Sequence, residues 1–368
     1  MPLQCSDRPS VLGLARCPRA ARSALLLAAA CLAPTAALRA DIPPYQLIGQ
    51  FAVPPGIAGV AAPWDILPDG RVVFLSGTSL LAADVRLPDP AATLGSVPAS
   101  AVSSFGPSFL AVSPSGTMLA FGDNNFGPAA SVHFVSVAAL STSGPSATTA
   151  IASPNYQAAW ADDSTLLVTG FGAGPVLTRI DSSAAPGEQA RTLMSNIADG
   201  SGGVTLDAAG RVYVGAGFDA AGGATTGHVR AFDLATLQAA PAPADFLSGT
   251  LVARALSADS LGFDTAGNLL IGGGDFFSGS GDFGSAAVIR SGSIAAALAG
   301  APIDPLAAQL RLSPAGPGAQ YAIRFNFATD ELLISDGATL FRYAVPAPGP
   351  IAALALAAAA ATRRRRHA

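Results

Sequence analysis

Cysteine, lysine and histidine are almost missing from this sequence, and their scarcity restricts the chemistry that the protein can perform. The 20 basic residues are all arginine, and the three cysteines lie within the first 40 residues, at Cys5, Cys17 and Cys31. The three histidines are far apart, at His133, His228 and His367. From residue 41 onward, disulfide bonds, Cys-ligated zinc and thiol catalysis are therefore excluded. A metal site made of several histidines is not expected either.

Charged residues are also few, at 12% of the chain, and their distribution divides the sequence into three parts. The first 40 residues contain five arginines and one acid, and the last six contain four arginines. Between Asp41 and Pro346 there are 11 arginines and 23 acidic residues, so 11 − 23 gives a net charge of −12. A body this acidic is not expected to bind nucleic acid or another polyanion.

The first 40 residues have the order of a secretory signal peptide. Three arginines, the last of them Arg22, precede an apolar run at 24–32, and small residues up to Ala40 offer cleavage positions. The run is shorter than the roughly 20 apolar residues of a transmembrane helix, so a retained membrane helix is the weaker interpretation. Lipidation at Cys31 is a second alternative, although Ala28 stands where Leu or Val is usual. We predict export through the Sec translocon and cleavage by signal peptidase.

The segment 345–368 combines a proline-rich motif, an apolar stretch that is predicted to be helical, and an arginine cluster. The motif is Val345, Pro346, Ala347 and Pro348, and the cluster is Arg363, Arg364, Arg365 and Arg366. This order resembles the PEP-CTERM sorting tail, in which an exosortase reads the motif, the apolar helix lies in the membrane and the arginines stay cytoplasmic. The sequence departs from the family at Ala347, where the family has Glu. An ordinary C-terminal anchor and a disordered Ala/Pro tail are the alternatives.

The resemblance implies an exported protein that is transiently anchored in the inner membrane. Its destination would be the cell envelope, the outer surface or the extracellular matrix. The implied partners are an exosortase-type enzyme, the Sec translocon and signal peptidase, with surface polysaccharide or protein as candidate contacts of the body.

Glycine and proline are abundant, with 40 and 29 residues, and in the body, 41–344, they separate short apolar runs as in a mainly β domain. One unit recurs six times: an apolar strand, a turn centred on Asp or Gly, and a second apolar strand, as in an antiparallel hairpin. Successive turn positions are 46, 48, 46, 57 and 63 residues apart, at Gly70, Gly116, Ser164, Gly210, Gly267 and Asp330. Such periods are typical of β-propeller blades.

The hairpin pattern resembles NHL and gluconolactonase-type propellers, which implies an all-β fold. Only one strand, at 339–343, follows the sixth hairpin, so the last blade lacks an outer strand, while residues 45–53 remain unassigned. We predict a six-bladed β-propeller in which this N-terminal strand completes the last blade and removes an open sheet edge, with seven blades as the alternative. Trp64 and Trp160 are predicted to pack between blades rather than to form ligand platforms.

Acidic and amide side chains in Gly-rich loops are the remaining candidates for chemistry. Such oxygen-rich loops suit Ca²⁺, and the weak candidate ligands are Asp123, Asn125, Asp275 and Asp282. The alternative is that these residues serve turn geometry. No other cofactor and no catalytic residue is predicted.

Enzymatic function is the less favoured interpretation of the body. Lactonase-type propellers hold a metal in the channel with Glu, Asn and Asp side chains. The two glutamates here, Glu188 and Glu331, fall in a predicted loop and a predicted hairpin turn. We therefore expect a non-enzymatic surface or matrix protein of unknown ligand, with a metal-assisted hydrolase or lyase as the alternative.

Overall fold

Six mainly antiparallel β-sheets contain the 25 strands that the structure describes. This computed structural model describes residues 45–54, 63–124, 129–197, 200–216, 227–255, 257–274, 284–302, 309–310 and 321–345. The predicted leader and all of the predicted tail except Val345 lie outside these residues.

The strands follow the chain blade by blade, after an N-terminal strand β1 at Gln46–Ala52. Blade 1 contains β2–β5, at Trp64–Ile66, Val72–Ser76, Ser79–Ala83 and Ala92–Ser96. Blade 2 contains β6–β9, at Leu110–Val112, Met118–Gly122, Ser131–Ser136 and Thr149–Ala152. Blade 3 contains β10–β13, at Gln157–Trp160, Thr165–Phe171, Pro175–Asp181 and Ala190–Ser195.

The second half of the ring is less regular. Blade 4 contains β14–β16 and β18, at Ser201–Leu206, Arg211–Ala216, Gly227–Asp233 and Thr250–Ala255. The intervening strand β17, at Ala244–Asp245, pairs in parallel with β13 of blade 3. Blade 5 contains β19–β22, at Ser260–Phe263, Leu269–Gly274, Gly284–Ile289 and Gln309–Leu310. Blade 6 contains β23–β25 together with β1, and its first three strands are Ala322–Asn326, Glu331–Ser335 and Thr339–Ala344.

Each of the six predicted hairpins forms the two innermost strands of a blade. Each inner strand contacts the inner strand of the next blade, in the order β2, β6, β10, β14, β19 and β23, and β23 contacts β2. This closes a ring of six blades, so the six-bladed propeller is confirmed and the seven-bladed alternative is wrong.

In five of the six hairpins the turn forms because the residue at the turn position adopts a left-handed backbone conformation. Gly210 and Gly267 have φ values of 77° and 74°, where a side chain would be strained, and Asp330 takes the same region at 54°. The Asp207 carboxylate accepts hydrogen bonds from the backbone N–H groups of Ala209 and Arg211, which fixes the turn in blade 4.

Insertions on one side of the ring explain the two longer repeat periods. In blade 4 the connection between the third and fourth strands contains helix α1 (Leu234–Ala239), β17 and a 3₁₀ helix (Phe246–Ser248). In blade 5 the corresponding connection contains helix α2 (Ser291–Leu298). Two further 3₁₀ helices, Ala99–Ala101 and Val137–Ala139, lie in blades 1 and 2.

The N-terminal strand completes blade 6, as predicted. Strand β1 pairs antiparallel with β25, from Gln46 opposite Ala344 to Ala52 opposite Thr339. Just before β1, the buried Tyr45 hydroxyl donates a hydrogen bond of 2.5 Å to Asp264 in the hairpin turn of blade 5. The two ends of the ring therefore emerge side by side, where other blades connect their third and fourth strands.

Apolar side chains between neighbouring blades form the core. Trp64 is fully buried among residues of blades 1 and 6, and Trp160 packs edge-to-face against Phe134 of blade 2 at 5.9 Å, so the packing prediction is confirmed for both. Glycine lets the blades approach closely at Gly272, where a Cβ atom would lie 2.4 Å from the carbonyl oxygen of Tyr321.

The two sides of the ring differ. We call the side with the six turns between the first and second strands the hairpin face. The opposite side, where the second and third strands of each blade are joined, is the loop face. The ends of the ring, Tyr45 and Val345, lie on the hairpin face because β25 runs toward it and β1 runs away from it.

Candidate functional site

The central channel opens on the hairpin face into a cavity of about 430 Å³. This volume lies within the range of small-molecule pockets, roughly 300–1,000 Å³. All six inner strands contribute to its wall, which is mainly apolar and includes Val112, Trp160, Leu206, Leu261, Phe325 and Phe327. The cavity is therefore large enough for a small-molecule ligand.

One charged pair lies in this apolar wall. Asp65 on β2 and Arg324 on β23 come from the neighbouring blades 1 and 6, and Asp65 Oδ1 is 3.7 Å from Arg324 Nε. The backbone N–H of Val112 donates to Asp65 Oδ2 at 2.7 Å. Arg324 Nη1 donates to Ser260 Oγ at 2.8 Å and to the carbonyl oxygen of Ile323 at 2.9 Å. Neighbouring strands thus hold both side chains in place.

Burial dominates the electrostatics of the pair. The Asp65 and Arg324 side chains are only 19% and 16% exposed, and both residues line the channel cavity. Burial raises the pKa of Asp65, although Arg324 and the Val112 N–H act in the opposite direction. Burial also lowers the pKa of Arg324, against the effect of Asp65. The two charges compensate each other, so the site has both a donor and an acceptor and little net charge.

These two residues could not be assigned to a site from the sequence. They occupy corresponding positions in the first and sixth hairpins, directly after Trp64 and Ile323, and are 259 residues apart in the chain. The sequence offered one hint of a special role: the first strands of the other four hairpins have uncharged residues at this point. Only the closure of the ring between blades 6 and 1 brings the two together.

An open groove of about 790 Å³ adjoins the channel mouth on the hairpin face. It lies between the turns of blades 4 and 5 and helix α2, and its wall includes Tyr213, Ile294 and Leu298. The groove and the channel cavity share Leu206, Phe263 and Phe327. The two concavities are thus adjacent at the mouth and share these three side chains.

Of the four predicted calcium ligands, the structure describes only Asp123. Its Oδ2 accepts a hydrogen bond from the backbone N–H of Ser131 at 2.9 Å, and its Oδ1 accepts one from Asn155 Nδ2 at 3.1 Å. Asn155 Oδ1 in turn accepts from the Ser108 hydroxyl at 2.6 Å. This buried network fixes the backbone at the loop face, which is the turn role considered as the alternative. Asn125, Asp275 and Asp282 lie outside the described residues.

The two glutamates do not reach the channel. Glu331 is the first residue of β24 rather than part of the hairpin turn, and it forms a two-point ion pair with Arg342, with N–O distances of 2.7 and 3.0 Å. Glu188 is exposed on the loop between β12 and β13. Within the described ranges, no three Asp, Glu, His or Cys side chains are close enough to hold a metal ion.

Asp259 is a buried carboxyl that the sequence did not single out. It lies in the connection from blade 4 to blade 5, at the loop-face end of the channel wall, and is 3% exposed. No described donor reaches its carboxylate oxygens in good hydrogen-bond geometry. Burial raises its pKa to about 8, and the nearby Ser257, Gly274 N–H and Tyr156 offset this only in part.

Of the predicted sorting tail, the structure describes only Val345, which packs against the cluster that contains Tyr45 and Tyr343. The remaining motif residues, the apolar segment and the arginine cluster lie outside the described residues. None of the helices that the structure describes is long and apolar enough to span a membrane.

Comparison with known proteins finds likeness only at the level of three-dimensional structure. No protein-family model matches the chain, and no curated protein matches it. A chain of the "Crystal Structure of Mitotic Checkpoint Complex" is 11% identical, with 92% of this chain and 99% of that chain covered and a TM-score of 0.49. A chain of "Kuenenia stuttgartiensis Hydrazine Synthase" is 15% identical, with 80% and 98% covered and a TM-score of 0.45. These values carry no information on function.

Proposed function

We propose that this chain is an exported β-propeller that is held or processed at the cell envelope and acts as a binding scaffold. The observation that carries the proposal is the position of the ring ends. Tyr45 and Val345 lie together on the hairpin face, and all six blades are complete between them. Removal of a leader at 1–40 and of a tail beyond Val345 therefore leaves every blade intact.

The tail supports envelope sorting through its resemblance to PEP-CTERM signals. An apolar stretch followed by Arg363, Arg364, Arg365 and Arg366 has the order of a stop-transfer segment with a cytoplasmic end. The body has a net charge of −12 by the count given above, and so differs sharply from both ends. The two ends thus serve transport, and the body is the delivered part.

A scaffold role fits the channel better than hydrolysis does. Asp65 is the carboxylate in the described cavity wall, and its partner is a guanidinium rather than a second carboxylate. A metal-assisted hydrolase or lyase would need several oxygen ligands around one ion. A rigid closed ring instead presents loops and cavities to a ligand.

Mass spectrometry of both termini, in protein from envelope and medium fractions, tests the proposal. We expect an N-terminus near Asp41 and a C-terminus within or near the motif. The double variant Pro346→Ala/Pro348→Ala should keep the full tail, whereas Pro350→Ala, just outside the motif, should be processed like the wild type. A wild-type chain that remains intact through His367 in every fraction would contradict sorting cleavage.

The same geometry predicts how an anchored molecule is oriented, because the tail leaves from the hairpin face. The mature body contains no cysteine, so single cysteines can report on each side. Exposed positions are Ser104 on the loop face and Ala209 on the hairpin face. In intact cells, a bulky maleimide should label Ser104→Cys faster than Ala209→Cys, and in detergent the two rates should converge. Equal rates in intact cells would refute this orientation.

A further inference from the structure

We propose that the channel mouth on the hairpin face binds a neutral sugar unit of a glycan. Asp65 and Arg324 would contact its hydroxyl groups, and Phe327 would stack on its ring. This inference deepens the scaffold function proposed above and rests on it for its setting at the envelope.

The charged pair of Asp65 and Arg324 is built differently from a structural ion pair within blade 6. Glu331 and Arg342 form a close two-point contact, with distances of 2.7 and 3.0 Å. The distance of 3.7 Å between Asp65 and Arg324 is too long for a hydrogen bond. Removing two charges from water costs more free energy than the attraction of an ion pair at this distance provides. A contribution to stability therefore does not explain why the pair is present.

Both charged side chains are nevertheless held in place before any ligand arrives. Asp65 is fixed by the backbone of blade 2, through Val112, and Arg324 by the Ser260 hydroxyl of blade 5 and its own strand. Binding therefore requires little ordering of these side chains, which favours affinity. A preorganised donor and acceptor separated by 3.7 Å match two hydroxyl groups on adjacent ring carbons.

Aromatic side chains supply the apolar half of the site. Phe327 is 66% exposed at the mouth, and its ring stands edge-on to Phe325 at 5.1 Å and 71°. Trp160 lines the opposite part of the cavity. An exposed aromatic ring next to a polar pair suits a sugar, because a pyranose has an apolar C–H face and a polar hydroxyl edge.

The chemistry of the pair selects among ligand classes. A hydroxyl group can donate to the Asp65 carboxylate and accept from the Arg324 guanidinium, so a neutral sugar satisfies both. A charged group would be attracted by one member of the pair and repelled by the other, so the compensated pair gives it little net attraction. A pure hydrocarbon would displace water from both charges without replacing its hydrogen bonds. The groove that continues from Phe327 gives room for further sugar units of the same glycan.

Isothermal titration of the full chain with defined tetrasaccharides tests this inference. The neutral probes are maltotetraose, cellotetraose and chitotetraose, and the anionic probe is tetragalacturonate. We expect at least one neutral probe to bind with a dissociation constant below about 1 mM and to bind more tightly than the anionic one. Phe327→Ala should weaken that binding about 10-fold. Phe105→Ala is the matched control, since Phe105 is 67% exposed on the loop face, and it should leave binding unchanged.

Three outcomes would overturn the inference: no binding of any neutral probe, tighter binding of tetragalacturonate, or equal effects of the two phenylalanine variants. Both phenylalanines are exposed, so neither variant should unfold the protein. If the protein is exported and processed as proposed but binds no neutral sugar, only the proposed sugar site is refuted. If the chain binds a neutral sugar but stays unprocessed in the cytoplasm, only the export proposal is refuted.

Discussion

Replacing Asp259 by Asn should change how the stability of the propeller depends on pH. The carboxyl of Asp259 is 3% exposed, and its pKa is raised from 3.8 to about 8, mainly by burial. Between these two values the folded protein binds a proton at Asp259 that the unfolded chain releases. Stability contributed by this proton is fully present at acidic pH and is lost as pH rises toward 8. Asparagine has the same shape but no ionisable proton, so the variant lacks this dependence.

The expected magnitude follows from the shift. Each pH unit within the window lowers the free energy of unfolding by up to about 1.4 kcal/mol, which amounts to roughly 5 kcal/mol between pH 4 and pH 8. At pH 5 the folded carboxyl is protonated and resembles the amide, and only the first part of this loss, roughly 1.5 kcal/mol, has occurred. At pH 8 the variant should be the more stable protein by several kcal/mol.

Urea unfolding of both proteins at pH 5, 6.5 and 8 provides the measurement. Other titrating groups, including Asp65 and His133, are common to both proteins and largely cancel in the difference. The difference in unfolding free energy should therefore grow steadily with pH in favour of Asp259→Asn. A difference that stays constant over this range would show that Asp259 is already ionised in the folded protein, and would contradict the raised pKa of its carboxyl.

Three further predictions concern closure, packing and metal binding. Tyr45→Phe removes the buried hydrogen bond to the blade 5 turn and should cost about 1–2 kcal/mol in urea unfolding; an unchanged midpoint would mean that closure does not depend on it. Gly272→Ala places a Cβ atom 2.4 Å from the Tyr321 carbonyl oxygen and should cost about 1–3 kcal/mol. Gly262→Ala, whose nearest neighbour would be 3.9 Å away, should change stability by less than about 0.5 kcal/mol, and equal losses would contradict the close approach. Since Asp123 binds protein donors, chelator should leave the melting temperature unchanged, and a clear rise with excess Ca²⁺ would establish a calcium site elsewhere.

Local features of the sequence were sufficient for the architecture. A tight hairpin needs a residue with a left-handed backbone conformation at its turn. The turn residues with this conformation are Gly70, Gly116, Gly210 and Gly267, with Asp330 in the sixth copy. Because each blade contains one such turn, the number of recurring turns in the sequence gives the number of blades. The missing outer strand of the last blade then identified the partner of β1. Ser164 is an exception, since its turn is fixed by hydrogen bonds to the Asp162 carboxylate instead.

The candidate site was less accessible to sequence reasoning because it depends on long-range juxtaposition. Asp65 and Arg324 meet only when the first and last blades become neighbours, and neither residue belongs to a local motif. Asp259 resembles any loop aspartate until the packing of blades 4 and 5 buries it. The close contact of Gly202 and Gly203, at the start of β14, with Ala258 and Leu261 of the next blade connection likewise depends on that packing.

The pairing of β1 with β25 also sets the order of folding events during synthesis. Residues 46–52 are among the first of the body to be made, yet their partners at 339–344 are among the last. Until those partners arrive, β1 has an unpaired edge and blade 6 cannot form, so closure is a late and slow step. The residues that follow directly are those of the predicted sorting tail. In an exported chain, the tail would therefore become available just as the ring becomes able to close, which couples the timing of sorting to the completion of folding.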